Sequence, residues 1–345
     1  MWIRPTYFSE DEIVKTIDKI YNAGIDNIFL ETYYHGKTIF PSQTMTKYGF
    51  IRQNEDYVGF DPLRIWINEA HKRGIKVHIW FETFYVGNKP PETNAGYILA
   101  KKPEWANYQK KNADSDTIAY SVSEHNGYFI DPANPEVQNF LYELLCEIIT
   151  RYKPDGINLD YIRYPQSLDT IYSNYDMSNW GYTKYARDEF FKMYGVDPIE
   201  LKFTDPLWFQ WRAYRCNKVT SFVRRVSVLC RFNKIQITTV IFPNRNLALN
   251  TKMQDWKTWS MNNFVDGFTP LFLTCNDMTA INLMEEILRN KSASTKLYAG
   301  LFVTFMNGSS ADLMKQIHAA RKYCLNGLII FDYAHLTDYY VDTLT

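Results

Sequence analysis

Apolar positions along this chain follow two alternating rhythms, and that alternation predicts eight strand–helix units. Short apolar runs of strand length fall at WIRPT (2–6), NIFLET (27–32), KVHIWFE (76–82), GINLDY (156–161), QITTVIF (236–242), VDGFTPL (265–271), LYAGLFVT (297–304) and GLIIFDY (327–333). Several are rich in β-branched residues and show no polar alternation, which suits strands of a parallel sheet covered on both faces. Between them the apolar spacing becomes helical. Ser9 and Glu12 form a capping box ahead of Ile13, Ile17 and Ile20, and Gly24 closes that helix. Asp61-Pro62 and Asn134-Pro135 open two more, each an N-cap followed by proline at the first helical position. Further helical stretches are expected near 207–231, 277–290 and 310–324.

Strict alternation favours a closed (β/α)₈ TIM barrel over an open doubly wound sheet. The open sheet would carry a glycine-rich turn after strand one, where this chain has PTYFSEDE. At 345 residues the chain is long enough for such a barrel, about 250 residues, plus loop insertions. The loops after strands two (33–60), three (83–133) and four (162–206) are long, whereas return linkers such as AGID, KRGI and KPDG are short. Strand-to-helix loops all open on the C-terminal face, so loop length points to one functional mouth. Residues 1–345 read as a single catalytic domain.

The C-terminal strand ends carry Glu31, Glu82, Asp160 and Asp332. Any one of them can be an ion-pair partner or helix cap; four converging on one face suggest a site. Asp160 ends an apolar strand and is followed by Tyr161, Arg163 and Tyr164, a cation and two phenols able to hold it ionised. Glu82 lies among Trp80, Phe81, Phe84 and Tyr85, an apolar setting that raises a carboxyl pKa and suits a proton donor. Glu31, followed by Tyr33, Tyr34 and His35, is the competing acid, and Asp332 the fallback. His35 reads as a sugar-hydroxyl partner and His78 as a barrel-lining residue. The His78–Glu82 spacing lies on a strand, so it forms no helical HExxH metal site. No GxSxG elbow is present either.

Composition narrows the partners. The 38 basic and 38 acidic residues cancel, giving no basic excess for nucleic acid. No run approaches the roughly 18 apolar residues of a membrane span. Strand-like sequence from Trp2 leaves no signal peptide, so the chain as written is expected in the cytoplasm unless a leader has been removed. Five scattered cysteines without CxxC spacing are expected to be buried free thiols. No metal or cofactor is called for. The 26 Tyr and 9 Trp are numerous, and such rings in polar loops suit the C–H faces of sugars.

The stretches FLETYYHGKTIFPS (29–42), FDPLRIWINEAHKRGIKVHIWFETFYVG (60–87), YFIDPANPEV (128–137), DGINLDYIRYP (155–165) and QDWKTW (254–259) together resemble the family 10-like glycosyl hydrolases, a bacterial (β/α)₈ group. The resemblance runs along essentially the whole chain. It implies a hydrolase of β-linked polysaccharide, some relatives acting on cell-wall glycan, and places Trp256, Asp131 and Asn134 on the active face. Arg163 is expected there either at the site or as a clamp on Asp131. Trp80 can equally be core. True family 10 xylanases pair a Glu at the end of strand four with a Glu on strand seven. Here strand four ends in Leu159-Asp160 and LYAGLFVT has no acid, so that pair does not transfer. Many relatives show two adjacent acids where this chain has Asp160-Tyr161.

The expected activity is cleavage of an O-glycosidic bond in a β-linked polysaccharide, including peptidoglycan-type or other N-acetylated glycans. Asp160 works with Glu82 or Glu31, and Tyr33, His35, Trp80, Tyr85, Tyr161, Arg163, Tyr164, Trp256 and Asp332 contact the sugar. The alternatives are a carbohydrate-binding barrel without catalysis and a carbohydrate deacetylase.

Overall fold

The computed structural model describes residues 1–6, 9–93, 97–306 and 308–335. Eight parallel strands follow one another around a (β/α)₈ barrel in sequence order. They are β1 (Trp2–Ile3), β2 (Asn27–Tyr34), β3 (Lys76–Glu82), β4 (Gly156–Asp160), β5 (Gln236–Ile241), β6 (Gly267–Pro270), β7 (Lys296–Phe302) and β8 (Gly327–Phe331). A short antiparallel strand, Lys37–Thr38, pairs with the end of β2. β1 is shorter than WIRPT suggests, because Pro5 has no N–H to give the sheet. Across the seam, the Trp2 ring lies 5.7 Å from that of Phe331 on β8.

The crossover helices are α1 (Glu10–Asn22), α2 (Pro62–Lys72), α3 (Pro135–Tyr152), α4 (Trp208–Phe232), α5 (Trp256–Met261), α6 (Asp277–Asn290) and α7 (Ser310–Lys322). Their starts follow the capping chemistry in the sequence. Ser9 accepts from the Glu12 N–H, Asp61 from Arg64 and Asn134 from Glu136. None of the described helices is long and apolar enough to cross a membrane.

Strand alternation builds two cores. Ile79, Phe81, Ile157 and Leu159 point outward and pack with Ile17, Trp66, Leu144 and Val223 of the helix layer. Trp2, Phe29, Trp80, Val240, Phe302 and Ile329 point inward and fill the lumen. Each such buried side chain contributes roughly 1.5–3 kcal/mol. Two glycines make room for the lumen packing. A Cβ on Gly156 would sit 2.3 Å from Nδ1 of His78, and one on Gly300 would sit 2.0 Å from the Pro270 carbonyl oxygen. His78 therefore lines the lower barrel, stacked on Phe29 at 4.6 Å.

The loop after β4 carries its own helix, Lys184–Tyr194, and folds with the start of α4 into a satellite core around Tyr182, Phe190, Trp208 and Trp211. All five cysteines are free, but only Cys216 and Cys230 are buried. Cys275 and Cys324 are exposed and Cys146 is half-buried, which corrects the expectation of uniformly buried thiols. Cys324 lies in the turn just after α7.

Candidate active site

Registry brings the carboxylates together. Glu82 and Asp160 are register partners at the C-terminal ends of β3 and β4, so their side chains share the inward face. Glu31 pairs with Trp80, one layer deeper. Asp160 is the half-buried one; Glu31, Glu82 and Asp332 are buried.

Asp160 is held from two sides. The Trp80 indole N–H donates to Oδ2 at 2.9 Å, and the Tyr161 backbone N–H donates to Oδ1 at 2.7 Å. Tyr161 has φ +46°, a left-handed conformation uncommon for a bulky residue, and this turn aims its N–H back at the carboxylate. His35, at the end of β2, does the same for Glu82: its φ is +50° and its N–H donates to Oε2 at 2.7 Å. Two sterically costly backbone positions thus each serve a carboxylate.

The charges are unequal. Burial pushes the Glu82 carboxyl well above the usual range and Glu31 and Asp160 add to this, opposed by the His35 N–H and the charge of Arg4; among the described residues no cation forms an ion pair with it. Glu31 is pushed up to about 7 by burial, with Asp160 and Asp332 adding. Opposing this, Arg4 grips it through Nε at 2.5 Å and Nη2 at 3.1 Å. Arg4, against its own burial, is driven above its ordinary value by Glu31. The two-point guanidinium contact favours the ionised form of Glu31, whereas the surroundings of Glu82 favour its protonated form. Burial also raises Asp160, while the Trp80 and Tyr161 N–H groups and the charge of Arg163 pull it back toward the ionised form.

Arg163 is itself clamped, though not by Asp131. Glu124 binds it in two-point fashion at 2.6 and 3.0 Å and also takes Lys252 at 3.3 Å. Although burial opposes it, these cations hold the Glu124 carboxyl at about 2. Asp131 instead accepts from Thr183 and the Ala133 N–H, and burial lifts it to about 6.

Several residues expected to touch sugar lie elsewhere. The register shift between Glu31 and Tyr33 turns Tyr33 to the outer face, where it stacks on Phe81 at 4.8 Å. Tyr164 is buried against the loop at Gly181. Trp256 sits at the start of α5, against Phe268, and donates to the Phe242 carbonyl. It thereby supports Phe242, which is half-buried. Trp80 is buried in the lumen, beneath Asp160 as its hydrogen-bond donor. Tyr85 is buried and stacks on the half-exposed Tyr161 at 4.5 Å. His35 stacks on Tyr34 at 3.7 Å, and burial, then Arg4, Lys37 and Lys89, lower its pKa to about 4. Asp332 is hydrogen-bonded to Nδ1 of the exposed His335 at 2.5 Å.

Sequence reasoning passed over Arg4, Tyr34, Glu124 and Lys252. Arg4 was within reach, two residues beyond lumen-facing Trp2 and so on the same face. Glu124 had no such signal, being 39 positions from Arg163 in a loop.

Comparison with known proteins agrees with this architecture. The glycosyl hydrolase DigH of Escherichia coli (strain K12) is 30% identical over 165 residues, 46% of this chain and 35% of that protein. The glycosyl hydrolase YngK of Bacillus subtilis (strain 168) is 23% identical over 164 residues, 46% of this chain and 29% of that protein. The matched segments thus span about a third of these relatives' length. Among solved structures, the GH36 α-galactosidase AgaA of Geobacillus stearothermophilus superposes on 100% of the chain and 40% of its own, with a TM-score of 0.57 and 13% identity. The α-galactosidase of Lactobacillus brevis gives 0.56 at 12% identity, over 100% of this chain and 39% of its own. At such identities the likeness is one of fold. Residues 4–305 match the family described as glycosyl hydrolase-like 10, and the chain belongs to that family.

Proposed function

We propose that this barrel hydrolyses an O-glycosidic bond of a β-linked polysaccharide, with N-acetylated glycans of the peptidoglycan type as the first candidates. The observation that carries this reading is the pairing of unlike carboxyls in register: Glu82 buried under one backbone N–H, Asp160 under two N–H donors. Glu82 gives its proton to the glycosidic oxygen as the bond to the anomeric carbon breaks. Asp160 stays ionised and meets the developing positive charge on the sugar ring; water adds through its oxygen to the anomeric carbon, and the proton it releases returns to Glu82. Tyr34, His35, Tyr161 and Phe242 form the rim against which the ring rests.

Leaving-group dependence tests the division of labour. Glu82→Gln is expected to lose about 10²–10⁴-fold in kcat/KM on an oligosaccharide, the usual worth of a general acid. On a nitrophenyl glycoside, whose leaving group needs no proton, it should keep most of the wild-type rate. Equal losses on both substrates would remove Glu82 from that role. Binding of oligosaccharide without cleavage by the wild-type protein would favour a carbohydrate-binding barrel.

A further inference from the structure

Beside the carboxylates, on the same C-terminal face, the loops after β3, β4 and β5 enclose a cavity of about 930 Å³. Its walls come from residues between Gln109 and Ser123, between Gln166 and Ser178, and between Phe242 and Lys252. That is near the upper end of the ~300–1,000 Å³ that holds a drug-sized ligand, and so has room for more than one sugar ring.

A chain of buried contacts joins the cavity to the carboxylate site. Lys252, which is 3% exposed, lines it and donates to Gln166 at 3.0 Å and to Glu124 at 3.3 Å. The same Glu124 clamps Arg163, whose guanidinium lies 4.8 Å from the ring of Tyr161, the residue after Asp160. Lys252 also rests 3.9 Å from the ring of Phe242, which belongs both to the rim and to the cavity wall. On the outer side stand Tyr120 and Tyr172, 48% and 54% exposed. Flat rings with hydroxyls over a floor of buried, hydrogen-bonding groups suit the mixed faces of a glycan better than a lipid or an apolar peptide.

We propose that this cavity is a distal subsite that binds the continuing glycan chain, several sugar units from the bond broken at Asp160. The inference rests on the reading of the mouth as a glycan site, and it makes the protein one that cuts within a chain. Tyr120 and Tyr172 supply the stacking faces and Lys252 a hydroxyl partner at the junction.

The test is calorimetric and needs no turnover. Asp160→Asn protein is titrated with β-1,4-linked N-acetylglucosamine oligomers from dimer to hexamer, and with β-1,4-glucose oligomers as a second series. In at least one series the hexamer is expected to bind about tenfold tighter than the dimer, equivalent to ~1.4 kcal/mol. Adding Tyr120→Ala and Tyr172→Ala should abolish that gain while leaving dimer affinity unchanged; circular dichroism verifies the fold. A hexamer no tighter than the dimer in both series, or a gain that survives the added substitutions, overturns the proposal. Length-dependent binding that the added substitutions remove, from a protein that never cleaves, keeps the subsite and refutes the hydrolase. Cleavage without length-dependent binding does the reverse.

Discussion

At the scale of single residues, the unlike fates of Glu31, Glu82 and Asp160 follow from who touches them. Glu31 has a guanidinium, Asp160 has two N–H donors, and Glu82 has one backbone N–H. Trp80 illustrates how a core residue serves chemistry: its ring fills the lumen while its N–H favours the ionised form of Asp160. Trp80→Phe keeps most of the packing and deletes that donor. A hydrogen bond to a charged group is worth ~1.5–3 kcal/mol, so the Asp160 pKa should rise by about one unit or more. In the proposed mechanism activity requires Asp160 ionised and is lost as pH falls through that pKa. The acid limb of kcat/KM should therefore move to higher pH in the variant; an unmoved limb would show that the indole N–H does not tune Asp160.

At the scale of elements, the strands were readable and the loops were not. The positions of Glu31, Glu82 and Asp160 followed from apolar runs ending in an acid, because a parallel strand shows its C-terminal end to the mouth. Tyr33 was misplaced because one extra residue in β2 reverses every later side chain, and no apolar pattern marks the bulge. The clamp on Asp131 offered as one alternative for Arg163 is instead one on Glu124, since loop residues meet through tertiary contacts that periodicity cannot encode. That clamp joins the loops after β3, β4 and β5. Glu124, at about 2 when folded against an ordinary ~4.3, contributes roughly 3 kcal/mol. Its folded pKa is depressed, so the contribution is complete above about pH 4.3 and vanishes as pH falls toward 2. Glu124→Gln should lower unfolding stability by about that amount at pH 7 and match the wild type near pH 2. A variant equally stable at both pH values would mean that the clamp holds nothing.

At the scale of the whole molecule, the barrel separates stability from chemistry. The helix layer is packed with apolar side chains, while the carboxylates and the two left-handed residues that serve them, His35 and Tyr161, lie at the C-terminal end of the barrel. The long loops rise on that end, and the cavity lies among the loops after β3, β4 and β5. Fold class and the location of the mouth could be read from strand–helix alternation and loop length alone. Subsite shape could not, because it depends on how three loops distant in sequence meet. The central claim is that Asp160 carries the cleavage. Its most direct test is to incubate a panel of β-linked glycans, peptidoglycan-type strands included, with wild-type and Asp160→Asn protein and to read the products by mass spectrometry. The account predicts cleavage of at least one glycan by the wild type and its loss in a variant that remains folded. Cleavage undiminished in Asp160→Asn would contradict it.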